Sequence, residues 1–231
     1  MNKNTFTAIS LPAIILLPLH FAHALDLSYT HTYEDVSKQH TEKLEASHRF
    51  DSGIGVGAKF KFSPKKKENG DEGDAFDNNK LKEKEFKLNY SANIAPGWAL
   101  EPGMAWTIKK NEDKYKPSLK LKYRYSSNSK FSLKYSDEIS DRRGKDTKRV
   151  NRVDAEYGQK FGAIEVTNTL TYYLGNMDLY NKSRSDYEYE LDLGYQVTQH
   201  LLPYISFKNE SVDDDTSQRQ TEFGVGITYS L

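Results

Sequence analysis

The sequence predicts an all-β protein: a transmembrane, antiparallel, up-and-down β-barrel of 12 strands. Three observations carry that prediction. The first is the end of the chain, where Phe223, Val225, Ile227, Tyr229 and Leu231 alternate with Gly224, Gly226, Thr228 and Ser230. Period-two alternation gives one apolar and one small or polar face. A barrel closes its last strand against its first, because bare backbone cannot face lipid. The second is composition: 16 Tyr, no Cys and a mean hydropathy of −0.80. Those values suit a lipid-facing half offset by a polar lumen, and the lack of Cys excludes disulfide scaffolds and thiolate chemistry. The third is the start. Asn2 and Lys3 precede a mostly apolar stretch, Ala8 to Leu19, and Ala22-His23-Ala24 fits a small-x-small cleavage site. That stretch is about half the ~20 residues a spanning helix needs. Residues 1–24 are therefore expected to be a signal peptide and residues 25–231 the outer-membrane barrel.

Alternating segments fall at 25–33, 41–50, 54–62, 81–94, 98–108, 114–125, 130–139, 149–160, 162–174, 185–197, 201–208 and 218–231. With the N-terminus in the periplasm, the odd-numbered connections are external. These are expected at Glu34–His40, Ser63–Lys80, Lys109–Asp113, Ser140–Lys148, Gly175–Arg184 and Asn209–Ser217. The periplasmic set is Asp51–Gly53, Ala95–Gly97, Ser126–Ser129, a turn near Phe161, and Thr198–His200, each shorter than every external one. The run Lys65-Lys66-Lys67, with its acidic sequel, fits a solvated external loop.

Alternation also assigns faces. In the third strand Ile54, Val56, Ala58, Phe60 and Phe62 point to lipid, leaving Lys59 and Lys61 inside. In the fifth, Trp98, Leu100, Pro102, Met104 and Trp106 point out, with the two tryptophans at girdle positions near opposite ends. In the sixth, Tyr115, Pro117, Leu119, Leu121, Tyr123 and Tyr125 face lipid. Asp137 and Arg219 are the outward charges expected, both near external ends where headgroups and water relieve them.

Net charge says little: Lys3 is the only charged residue among the first 24, so 32 basic and 33 acidic residues remain. Distribution says more. The sixth strand turns Lys114, Lys116, Ser118, Lys120, Lys122 and Arg124 inward, and the seventh adds Lys130, Ser132 and Lys134. Earlier strands contribute Lys43, Arg49, Lys59, Lys61 and Lys87. Like charges two residues apart on a strand lie ~7 Å apart, close to the ~8 Å screening length at physiological salt. Such a row is stable in a water-filled lumen, and it raises the local concentration of anions. Lysine's compact, hydrated ammonium suits transit better than a bidentate clamp. Asp154, Glu156, Glu165, Glu188, Glu190 and Asp192 point inward from strands eight to ten. A basic wall facing an acidic one would set up a transverse field, in which some of these groups pair. The simpler alternative is that the lumen charges only solvate a wide pore.

Four segments, taken with these residues, resemble a known family. They are Ser47-His48-Arg49-Phe50 before a turn, Leu100-Glu101-Pro102-Gly103, Tyr115-Lys116-Pro117 before the basic strand, and Arg219-Gln220-Thr221 leading into Val225-Gly226-Ile227-Thr228-Tyr229-Ser230. In order and spacing the chain is similar to the oligogalacturonate-specific porins (KdgM), a family that includes the sialic-acid channel NanC. The resemblance implies a monomeric barrel lined by basic tracks that passes acidic sugars to the periplasm. It carries over Arg49, Lys116 and the basic face of the sixth strand. Glu222 and Gly224 depart from it, standing at inward positions that are commonly basic in the family.

An enzyme would need a nucleophile and base in reach. Ser47 and His48 are adjacent and so face opposite sides, and His31, His40 and His200 lack zinc-ligand spacing. The function expected is a passive outer-membrane channel for acidic mono- or oligosaccharides, such as oligogalacturonates or sialic acid. A general small-solute porin is the alternative; an outer-membrane enzyme or adhesin fits less well. No catalytic residues, cofactor or metal are implied. The expected partners are acidic carbohydrate solutes, outer-membrane lipid and lipopolysaccharide, with no nucleic acid.

Overall fold

Alternation along the described residues, 25–231 of a computed structural model, produces strands and turns from end to end. The expected signal peptide, residues 1–24, lies outside the described residues. The first six strands are β1 (Leu25–Glu34), β2 (His40–Arg49), β3 (Ile54–Ser63), β4 (Lys80–Tyr90, continued beyond Ser91 as Ala92–Ala95), β5 (Trp98–Lys109) and β6 (Glu112–Arg124). They are followed by β7 (Ser129–Arg142), β8 (Lys148–Phe161), β9 (Ile164–Gly175), β10 (Ser185–Tyr195), β11 (Leu201–Ser211) and β12 (Arg219–Ser230). Each pairs antiparallel with its sequence neighbours, and β12 returns to β1 in a register running from Asp26↔Ser230 to Glu34↔Glu222. The Leu231 amide donates to the Leu25 carbonyl at 3.0 Å, completing the seam. Closure leaves no sheet edge, which is what lets strands cross lipid.

The molecule is inside-out relative to a soluble domain. Val150 is the one buried hydrophobic side chain among the described residues, whereas Thr32, Thr107, Ser136 and Glu85 are buried. Large apolar side chains such as Leu88, Leu170 and Val225 are more than half exposed, as a lipid-facing surface requires. Trp98 stacks on Tyr123 (4.4 Å between centroids) and Trp106 on Tyr115 (6.3 Å), one pair toward each end of the β5–β6 hairpin. These are the two girdles.

The glycines of β12 have a steric cause. Gly226 lies between Tyr204 on β11 and Thr30 on β1. The Tyr204 ring crosses over it to share a 2.5 Å hydrogen bond with the Thr30 hydroxyl. A Cβ at Gly226 would collide with that ring. The aromatic side chain thereby covers a backbone with no side chain of its own.

Two expectations are corrected. The external β5–β6 connection is the two-residue turn 110–111, shorter than the periplasmic connections 50–53, 125–128 and 196–200. Lys109, Glu112 and Asp113 looked like loop because they are charged. They are strand residues beyond the apolar band, where a charge costs little. Strands β7 and β11 also run on, to Arg142 and Ser211.

The second correction concerns outward charge. Asp137 is held by Arg149, whose Nε lies 2.9 Å from Oδ1, and the Arg219 guanidinium sits 4.0 Å from the centroid of the Tyr187 ring. Glu42 is a further outward carboxylate that alternation alone did not flag, and it is 5 % exposed. The Tyr29 hydroxyl donates to it, and His31 Nδ1 lies 2.6 Å from its Oε1. The structure also brings His31 and His40 together, 3.4 Å between ring nitrogens, with Phe76 stacked on His31. Glu42 already occupies His31 Nδ1, so the three side chains satisfy one another.

Candidate functional site

The lumen is built from the inward half of every strand. Along β6 the basic row meets carboxylates one or two strands away. Lys114 Nζ lies 3.1 Å from Glu138, Lys116 2.6 Å from Glu85, Lys120 3.4 Å from Glu156 and Lys122 2.6 Å from Glu101. Arg124 is exposed and lines a periplasmic cavity of about 240 Å³ with Lys130.

The preceding strands repeat the pattern. Lys43 reaches Glu222 (3.0 Å), Arg49 reaches Glu101 (2.7 Å), Lys59 reaches Glu85 (2.9 Å), Lys61 reaches Glu83 (3.5 Å) and Lys87 reaches Glu45 (2.7 Å). Glu85 is the centre of this wall. It touches Lys59, Lys116 and Lys87 and accepts a 2.8 Å hydrogen bond from the Thr107 hydroxyl.

Among the acidic residues, Asp154 binds Arg152 (2.6 Å) and Lys134 (3.7 Å) and accepts from Thr171 (2.8 Å). Glu156 holds Lys120 and lies 3.8 Å from Lys130. Glu165 pairs with Lys160, while Glu188 accepts from the Tyr173 hydroxyl (2.8 Å) and lies 3.7 Å from Lys208. Glu190 and Asp192 differ. They line a cavity of about 340 Å³ with Lys43, and neither is in a side-chain ion pair among the described residues.

The walls are therefore less separate than the sequence suggested. Glu83, Glu85, Glu101 and Glu138 stand within the basic wall, and Arg152, Lys160 and Lys208 within the acidic one. Inward alternation would have flagged Glu138 and Glu85. Their pairing needed the register, which sets Lys120 opposite both Glu101 and Lys134. An excess of cations survives nonetheless. The cavity of about 350 Å³ along the basic wall is lined by six Lys and Arg, Arg152 of the acidic wall among them, against three carboxylates; Glu45, Glu156 and Asp154, just outside that lining, also pair with Lys87, Lys120 and Lys134. The one beside Glu190 and Asp192 has three carboxylates against one lysine. Glu222 and Gly224 explain the departure at β12: Glu222 is the partner of Lys43, and Gly224 leaves room for Ser206.

Known proteins share this architecture. The family described as "Oligogalacturonate-specific porin protein (KdgM)" matches residues 20–231. The chain is 30% identical over 230 residues to the uncharacterized protein YiiY of Salmonella typhimurium, covering 94% of this chain and 96% of that one. It is 26% identical over 227 residues to the oligogalacturonate-specific porin KdgM of Dickeya dadantii, covering 91% and 93%. Among solved structures, the NanC porin superposes with a TM-score of 0.76 at 18% identity, over 89% of this chain and 100% of that one. The closed barrel, its polar interior and a match along nearly the whole described chain make this protein a member of the KdgM porin family, a channel-forming barrel of the bacterial outer membrane.

Proposed function

We propose that the barrel is a passive, anion-favouring channel for acidic mono- or oligosaccharides, such as oligogalacturonates or sialic acid, and that it acts as a monomer in lipid and lipopolysaccharide. The observation that carries this is the cation excess along the basic wall. On the face of that cavity Glu85, Glu101 and Glu138 are outnumbered two to one, and Glu85 alone is shared by three lysines, which supports a local positive surplus. A fixed positive surplus in a narrow, low-dielectric passage concentrates anions. The lysine side chains are partly exposed to the lumen, so a sugar carboxylate can exchange with water there rather than lock in place. Lys116, Lys120, Lys122 and Arg49 are the residues to which this account gives most weight, and the name of the Dickeya relative supports the sugar class. No cofactor or energy source is invoked, since flow follows the gradient.

One observation favours a second reading, a general small-solute porin: every lysine of the β6 row has a carboxylate within 4 Å. Liposome flux separates the two. A specific channel passes galacturonate oligomers faster than neutral oligosaccharides of equal length. A general porin sorts both by size alone, and that result would overturn the proposal.

A further inference from the structure

The cations at the external mouth differ from those deeper in the barrel. A cavity of about 650 Å³ opens there, lined by nine Lys and Arg against five carboxylates, an excess of four. Deeper in the barrel, lysines such as Lys59, Lys87, Lys116 and Lys122 are ion-paired. At the mouth, Lys82, Lys110, Arg143 and Lys145 are exposed, and none is in a side-chain ion pair among the described residues.

Backbone geometry gathers three of these on one rim. The Arg143 amide donates to the Asn111 carbonyl at 3.1 Å, tying the turn 143–147 to the turn 110–111. Arg142 folds its own loop by donating to the Asp146 carbonyl at 2.7 Å, and the Lys145 amide donates to the Arg142 carbonyl at 3.1 Å. Gly144 turns the corner at φ 68°, where a side chain would be strained. Lys110, Arg143 and Lys145 thus stand together on a braced rim.

We infer that this rim is a docking site for the carboxylates of an acidic glycan at the external mouth, distinct from the ion-paired wall below it. The inference rests on the proposed anion channel and names where such a solute is first held. The physical contrast is competition. A sugar carboxylate reaching Lys116 must displace Glu85, whereas one reaching Lys110, Arg143 or Lys145 has no ion-paired carboxylate to displace among the described residues. The guanidinium of Arg143 adds a planar fork suited to a carboxylate.

The test is block of ion current in planar bilayers by short galacturonate oligomers, added to the external or the periplasmic side. The parent channel should be blocked at lower concentration from the external side. The triple variant K110Q/R143Q/K145Q should raise the half-blocking concentration on that side by about tenfold, the scale of a few exposed charge pairs. Block from the periplasmic side should not change. The charge-keeping variant K110R/R143K/K145R should retain external block, and heat-modifiable migration on gels confirms folding. If the triple variant fails to fold, R143Q alone is measured and should show a smaller shift in the same sense. External block unaltered in the neutralised variants, or equal from both sides in the parent, would overturn the rim site while leaving the anion channel intact. A parent channel with no anion preference and no block from either side would overturn the channel reading itself.

Discussion

Replacing Glu85 by Gln isolates what holds the basic wall. The side chain is 3 % exposed and lies 2.6 Å from Lys116, 2.9 Å from Lys59 and 3.6 Å from Lys87. At an effective dielectric near 20, a charge pair at ~4 Å attracts by about 4 kcal/mol before desolvation is counted. Removing one partner of a buried pair costs about 3–5 kcal/mol, because the charges left behind repel and lack compensation. Here three ammonium groups are left, but all are partly exposed and Lys87 keeps Glu45, so the expected loss is at the low end, about 3 kcal/mol. Adding Lys116→Gln removes one stranded charge and should recover part of the loss. A double-mutant cycle would then give a coupling energy within the 0.5–3 kcal/mol typical of contacting residues. The assay is equilibrium unfolding in detergent or lipid, followed by the shift between folded and unfolded bands on gels. Deleting a negative charge should also raise anion preference in bilayers. A Glu85→Gln protein within 0.5 kcal/mol of the parent, with unaltered selectivity, would refute the paired-wall geometry.

Three further outcomes are expected. Reversing Lys120 and Lys122 to Glu should lower anion preference while the barrel still assembles; it also leaves Glu156 only Lys130 and Glu101 only Arg49, so a measurable loss of stability accompanies it, whereas Leu119→Glu or Leu121→Glu on the lipid face should impair membrane assembly and leave selectivity unmoved. Gly226→Val forces the Tyr204 ring off Thr30 into the lumen, at a cost of about 1–3 kcal/mol for overpacking, and should reduce unitary conductance. Deleting Tyr229–Leu231 removes the pairs Leu27↔Tyr229 and Asp26↔Ser230 and the Leu231–Leu25 bond, so outer-membrane assembly should fail; normal insertion would show that the seam lies elsewhere.

What was legible in the sequence was the property that repeats every second residue. The alternation in β3, β5, β6 and β12 set strand number and facing, because a residue in lipid cannot share a face with one in water. Strand ends were less legible. Around Lys109–Asp113 the apolar face stops before the strand does, so a two-residue turn looked like a loop. Side-chain partners were the least legible. Lys43 and Glu222 are 179 residues apart and meet across β1, and Arg49 and Glu101 meet across two strands. Those meetings depend on register and closure, which no local pattern encodes. His31 and His40 looked unrelated for the same reason, although the β1–β2 hairpin stacks them.

If fixed lumen charge favours anions, as proposed, the reversal potential of the parent channel across a salt gradient reads it out. At low salt a clear anion preference is expected, shrinking as the Debye length falls toward ~3 Å at 1 M. Zero or cation-favouring selectivity at low salt would show that Glu190, Asp192 and the paired carboxylates dominate the passage, and would contradict it.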